Sequence, residues 1–333
     1  MNATRNRQAG LTLIELMVAL AIGSFLIIGA VQIYTQSRQA FRVNESIARV
    51  QETAQFAMDT IEADLRMASN WGRTSRSLTI EGRSISGDPN PDGLAEPGDC
   101  GDGWALDLAM TVDGTDNNYG LAGPSCTAQG GAEANSDVIT VRRATVDPVV
   151  PDGAHLQVQS SRIQGQLFVD NNIPAGYSAA VDPVTGEPDS TTHNLIVNSY
   201  YVAADSNLIP NTPTLRRKTL GVVAGAPGII DQEIAPGVEN LQVQFGVDVD
   251  EDNTVDMYVN PGDAVYDPDA AGYIPGARVI TARVWLVVRG VEMEVGIQDQ
   301  RDYDPGNIDL GTYNDNYRRV EISKTILLRN ART

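Results

Sequence analysis

Histidine, cysteine and positive charge are all scarce in this chain of 333 residues, and each scarcity closes off a class of function. The two histidines, His155 and His193, fall in no HExxH pattern, so the common zinc-hydrolase arrangement is missing. No GxSxG nucleophile elbow and no phosphate-binding P-loop occurs either. With 24 basic against 43 acidic side chains and a formal charge of −19, the chain lacks the lysine and arginine that nucleic acid or anionic headgroups require. Its acid excess instead suits the solubility of an exported domain. The only cysteines are Cys100 and Cys126, with no CxxC pair to suggest a metal site. In an oxidising compartment they read as one disulfide closing a loop of about 25 residues, worth about 3 kcal/mol by chain entropy. Two separate thiols are the alternative. Long apolar runs are scarce too: one occurs near the N-terminus.

Between Leu11 and Val31 the only polar side chains are Thr12, Glu15 and Ser24. About 20 apolar residues suffice to cross a bilayer. Arg5 and Arg7 precede the run and no acid does, so the positive-inside bias holds that end in the cytoplasm and the rest of the chain outside it. A plain signal anchor or a cleaved secretory peptide would give a similar profile. The secretory peptide wants a small-x-small cleavage site after the apolar core, and the neighbourhood of Ala30 supplies none. Glu15 is the informative oddity, because a carboxylate in hydrocarbon is costly and normally has a partner and a task.

Gly10, the adjoining apolar Leu11 and the acid at Glu15, in one register, resemble the class III signal of type IV pilins and pseudopilins. The resemblance implies cleavage by a prepilin peptidase between Gly10 and Leu11, methylation of the new N-terminus and an assembly role for Glu15. In a filament, the amine of an incoming subunit would pair with a neighbour's glutamate and relieve an unpaired charge in an apolar core. The alternative for Glu15 is an acid at the headgroup boundary with no assembly role. Leu11 stands where Phe is usual, which bears on methylation more than on cleavage. The helix-breaking Pro of many major pilins is absent.

Past the span, Ile47, Val50, Ala54, Ala57, Ile61, Leu65 and Ala68 recur in helical steps, opposite Arg42, Glu45, Arg49, Glu52, Asp59 and Glu62. The pattern predicts one helix from residue 12 to 70, stopped by Asn70-Trp71-Gly72. The expected organisation is a leader over 1–10, a pilin helix over 11–72 with its membrane span at 11–31, and a β-rich head over 73–333. Predicted strands are Leu78–Ile80, Asp137–Ala144, Leu156–Ser160, Gln166–Val169, Leu195–Ala203, Leu241–Val247, Arg278–Val288, Val291–Ile297 and Val320–Leu328. Gly/Pro/Asp-rich stretches at 86–135, 147–154, 170–193 and 260–276 read as surface loops. The fold class is α+β: a long N-terminal transmembrane helix packed on an antiparallel β-sheet head.

The segments from Val238 to Asp248 and from Val279 to Arg289 narrow the resemblance to the PilW-type minor pilins. That implies a non-enzymatic role in a minor-pilin complex that primes type IV pilus assembly at or near the tip. The partners would be other minor pilins, the major pilin and a tip adhesin. The head would lie in the periplasm before assembly, on an inner-membrane anchor, and outside the cell in the pilus afterwards. A J-like pseudopilin of a type II secretion system, or a pilin-anchored extracytoplasmic binding domain, are the alternatives.

One further pattern carries chemistry. Asp248, Asp250, Asp252 and Asp256 take positions 1, 3, 5 and 9 of a calcium-loop spacing, with the Thr254 carbonyl as a further candidate ligand. Asn253 stands where Gly is usual, and Val259 stands where a bidentate Glu is expected, so Asp263 or Glu251 would have to substitute. The alternative is a solvated acidic turn. Asp302, Asp304, Asn307 and Asp309 form a weaker echo of the same pattern.

Overall fold

The structure is a computed structural model, and it describes residues 10, 12–85, 88, 94, 100–101 and 103–332. The leader before Gly10, and Leu11 itself, lie outside the described residues, as does part of the predicted loop over 86–135. Two compact units are present, Met1–Arg49 and Val50–Thr333.

A single long helix, α1, runs over Leu13–Met67. Its polar side chains are largely satisfied within the helix: Ser24 Oγ donates to the Ala21 carbonyl at 2.8 Å and Thr60 Oγ1 to that of Phe56 at 2.8 Å. The helix ends before the predicted Asn70-Trp71-Gly72 stop. Ser69, at φ 63°, takes the left-handed conformation that closes a helix. Gly72 has a different task, because a Cβ there would sit 2.4 Å from the His193 ring.

The strands are β1 (Ile80–Glu81), β2 (Val112–Thr115), β3 (Val138–Ala144), β4 (Gln157–Ser160), β5 (Gly165–Phe168), β6 (Thr191–Ala203), β7 (Thr214–Val223), β8 (Ala226–Pro236), β9 (Val238–Asp248), β10 (Met257–Val259), β11 (Arg278–Arg289), β12 (Asp302–Tyr303), β13 (Gly311–Thr312) and β14 (Arg319–Leu327). An eight-stranded sheet follows the order β1-β5-β4-β6-β3-β2, with β7 joined to β6 and β8 to β7. A four-stranded sheet has the order β10-β9-β11-β14. Pairing is antiparallel apart from β1 with β5. The α+β expectation therefore stands.

From Val50 onward α1 buries the expected stripe, with Val50, Ala54, Ala57, Ile61, Leu65 and Ala68 all in the main core. They meet Leu241, Val243 and Phe245 of β9, Val284 and Leu286 of β11, and Ile139 and Tyr200 of the larger sheet. Each large side chain buried in this way contributes about 1.5–3 kcal/mol. A second cluster gathers Trp71, Trp104, Leu106 and Leu108 around Cys100 and Cys126.

Three expectations fail on physical grounds, besides Leu78–Ile80, which falls mostly in a 3-10 turn over Ser77–Thr79 with only Ile80 in β1. Val291–Ile297 is not a strand. Its alternating apolar residues have no face to fill, and Val295 stays 98% exposed. Its backbone bonds singly to Asn316 and within its own turn rather than along a ladder. Conversely, the β7–β8 hairpin was not foreseen. Its two-residue turn is Ala224-Gly225, both at positive φ (52° and 86°), the geometry that matches strand twist. Between its strands lie buried charges, not the apolar alternation that marks a strand: Arg216 pairs with Asp231 at 2.7 Å and Lys218 with Asp231 at 2.8 Å. Third, Glu62 does not lie on an open face. It is buried, 2.5 Å from Arg66, and accepts a hydrogen bond from Lys324 of β14.

Candidate functional site

Thr12 and Glu15 close the N-terminus of α1 as a reciprocal pair. The Thr12 backbone N–H and Oγ1 both donate to Glu15 Oε2, at 2.9 and 2.8 Å, and the Glu15 N–H reaches back to Thr12 Oγ1 at 3.4 Å. This is a capping box, and the Thr-x-x-Glu spacing that signals it is present in the sequence, where the surrounding apolar run masks it. The acid therefore occupies the first turn, four residues after Leu11, with its charge against the positive end of the helix. Behind it, Ile14, Val18, Ala19 and Ile22 line a shallow apolar recess that includes Glu15. The helix is long and apolar enough to cross a membrane, and its most apolar stretch is unburied.

Towards the C-terminal end of α1, a second carboxylate, Asp64, gathers four hydrogen bonds from the β-sheet. Asp64 is buried on the helix. Arg143 of β3 donates to its Oδ1 from Nε and Nη2 at 2.9 and 2.7 Å. Asn198 Nδ2 donates to Oδ2 at 2.6 Å, and the Tyr200 hydroxyl donates to the same oxygen. Burial, with the Asp64 charge beside it, pushes the Tyr200 phenol well above its usual range. Sequence reasoning missed Asp64 because it sits one position off the apolar stripe.

The acidic loop joins β9 to β10. Asp248, Asp250 and Asp256 each bring a carboxylate oxygen within 4.8 Å of the others. Asp248 is fully buried. Its Oδ2 accepts from the Asn253 N–H at 3.0 Å and from Arg278 Nη2 at 3.1 Å. Burial pushes the Asp248 carboxyl up, but Asn253 and Arg278 outweigh it and hold the group below the usual carboxylate range. Asn253 adopts the left-handed φ of 68° expected of a Gly substitute. Asp252 is not in the convergent set: its Oδ1 accepts from the Thr254 N–H and Oγ1, at 2.7 and 2.6 Å. Val259 lies in β10 against the core, and Asp263 Oδ1 accepts from its own turn at the Val265 N–H, 2.9 Å away.

The remaining candidates separate. Cys100 and Cys126 are joined by a disulfide, with Cα atoms 4.9 Å apart. His155 pairs with Asp152 at 2.6 Å on the surface. His193 is buried, its Nδ1–H donates to the Thr145 carbonyl at 2.8 Å, its Nε2 bonds the Thr191 hydroxyl at 2.9 Å, and burial lowers its pKa. Neither faces a nucleophile or a metal cluster among the described residues. Asp302, Asp304, Asn307 and Asp309 do not converge on one point: Asn307 Nδ2 donates away to Asp116 at 2.8 Å, and Asp309 accepts from Gly311 N at 2.7 Å.

Two family models match the chain. The prokaryotic N-terminal methylation motif matches residues 5–31, the segment containing Gly10, Leu11 and Glu15. The Type IV Pilus-assembly protein W model, PilW, matches residues 199–330, which includes β9 and β11, the antiparallel neighbours that first suggested it. Both are pilin families rather than enzyme families. No curated protein and no solved structure matches. The two matched segments, one carrying the methylation motif and one carrying most of the head's sheet residues, support a type IV pilin-like minor pilin.

Proposed function

We propose that the chain is made as a prepilin, cut between Gly10 and Leu11, methylated, and incorporated through its N-terminal helix into a type IV pilus. There it acts without catalysis, helping to prime assembly at or near the tip beside other minor pilins, the major pilin and a tip adhesin. Before assembly the helix anchors it in the inner membrane with the head in the periplasm. The observation that carries this reading is the methylation-motif match over an apolar span whose lone acid, Glu15, sits in the first turn of α1. We also assign calcium to the cluster of Asp248, Asp250 and Asp256 as a bound ion of the head. The assembly reading is tested by recovering the tagged full chain from cells. Copurification with sheared pili and minor pilins supports it, and recovery only with a secretion channel favours a J-like pseudopilin.

A further inference from the structure

We infer that calcium at this loop is a clamp on the β9–β10 hairpin, seated on Asp248 Oδ1, Asp250 and Asp256, with Arg278 retained as a counter-charge on the other Asp248 oxygen. The inference rests on the calcium reading and deepens it by fixing the ligands and their effect. Asp248 is the last residue of β9 and Asp256 immediately precedes β10, so an ion touching both ties the two strand ends together. Asp248 Oδ2 is already taken by Asn253 and Arg278. Its Oδ1 is buried and has no hydrogen-bond partner. A buried carboxylate oxygen without a partner is costly, and a cation supplies the missing partner. The neighbouring carboxylates of Asp250 and Asp256 are exposed, so an ion entering from solvent reaches them first. Three carboxylates less one arginine leave the site net negative, and a hard, oxygen-seeking ion suits that set. Calcium tolerates irregular coordination by three side chains, carbonyls and water, whereas magnesium demands near-octahedral geometry.

The test uses the purified full chain in detergent micelles, with calcium chloride, magnesium chloride or chelator. Bound calcium is measured by equilibrium dialysis, and stability by the thermal midpoint. Calcium at about a hundredfold excess over its dissociation constant should raise the midpoint by about 5 °C or more, and magnesium by less. Asp250→Asn and Asp256→Asn, both at exposed positions, should each weaken calcium binding about tenfold or more. Asp263→Asn and Glu251→Gln should leave it unchanged. Absence of calcium binding to the native chain overturns the calcium reading itself. Binding that survives Asp250→Asn and Asp256→Asn, or that Asp263→Asn abolishes, overturns the clamp and leaves calcium bound elsewhere.

Discussion

Glu15 is already satisfied by its own helix before any neighbour arrives, since Thr12 gives its Oε2 two donors. Pairing with another subunit's amine must therefore compete with the cap. Glu15→Ala removes both the cap and the charge while making the span more apolar, so insertion and cleavage should persist. The amount of protein recovered in sheared pili should fall, and normal recovery would reject an assembly role. Thr12→Ala separates the two functions: it weakens the cap, costing about 1 kcal/mol of helix stability, and keeps the charge, so assembly should continue. At Asp64 the expectation is purely one of stability. Asp64→Ala leaves the part-buried Arg143 guanidinium without its carboxylate and should destabilise the head by about 3–5 kcal/mol, read from chemical unfolding.

Elements that pack by apolar periodicity were legible in the sequence, and elements that pack by charge were not. The α1 stripe, β9 and β11 appear in the structure much as their patterns predict, because each fills a core face. The β7–β8 hairpin was hidden because Arg216, Lys218, Asp231 and Glu233 take interior positions that an alternation search treats as solvent-facing. Val291–Ile297 shows the converse error: alternation alone makes no strand where no partner edge is available. The spacing of the acidic loop shows which acids lie near one another, and Asp248, Asp250 and Asp256 do, but the turn that draws Asp252 onto Thr254 depends on backbone geometry that spacing does not encode. For the hairpin, Asp231→Ala should cost about 3–5 kcal/mol, since it strips a buried carboxylate from Arg216 and Lys218. A cost under 1 kcal/mol would contradict the buried ladder.

The strand β14 gives the head a defined acid response. Lys324 holds the Glu62 carboxyl below the usual carboxylate range, and Arg319 does the same for Asp315. Groups whose folded pKa is depressed contribute stability above their unfolded values, about 4.3 for Glu and 3.9 for Asp, and lose it as pH falls through the folded values. The thermal midpoint of the full chain should therefore fall between about pH 5 and pH 3, and Lys324→Met should flatten part of that fall. A midpoint unchanged over this window would contradict the pairing.

Across the whole molecule, the N-terminal segment and the head separate in chemistry. The first carries an apolar span, 11–31, with one acid, Glu15. The second is a two-sheet domain built around the continuation of α1 and stapled by Cys100 and Cys126. The proposed life history links them, because an anchor that is cut at Gly10 and drawn into a filament carries the head with it. The most direct measurement is intact-mass and N-terminal peptide mass spectrometry of the chain recovered from sheared pili. A chain beginning at Leu11 with a methylated amine is the predicted result, and a chain that retains Met1 or begins near residue 30 would contradict it.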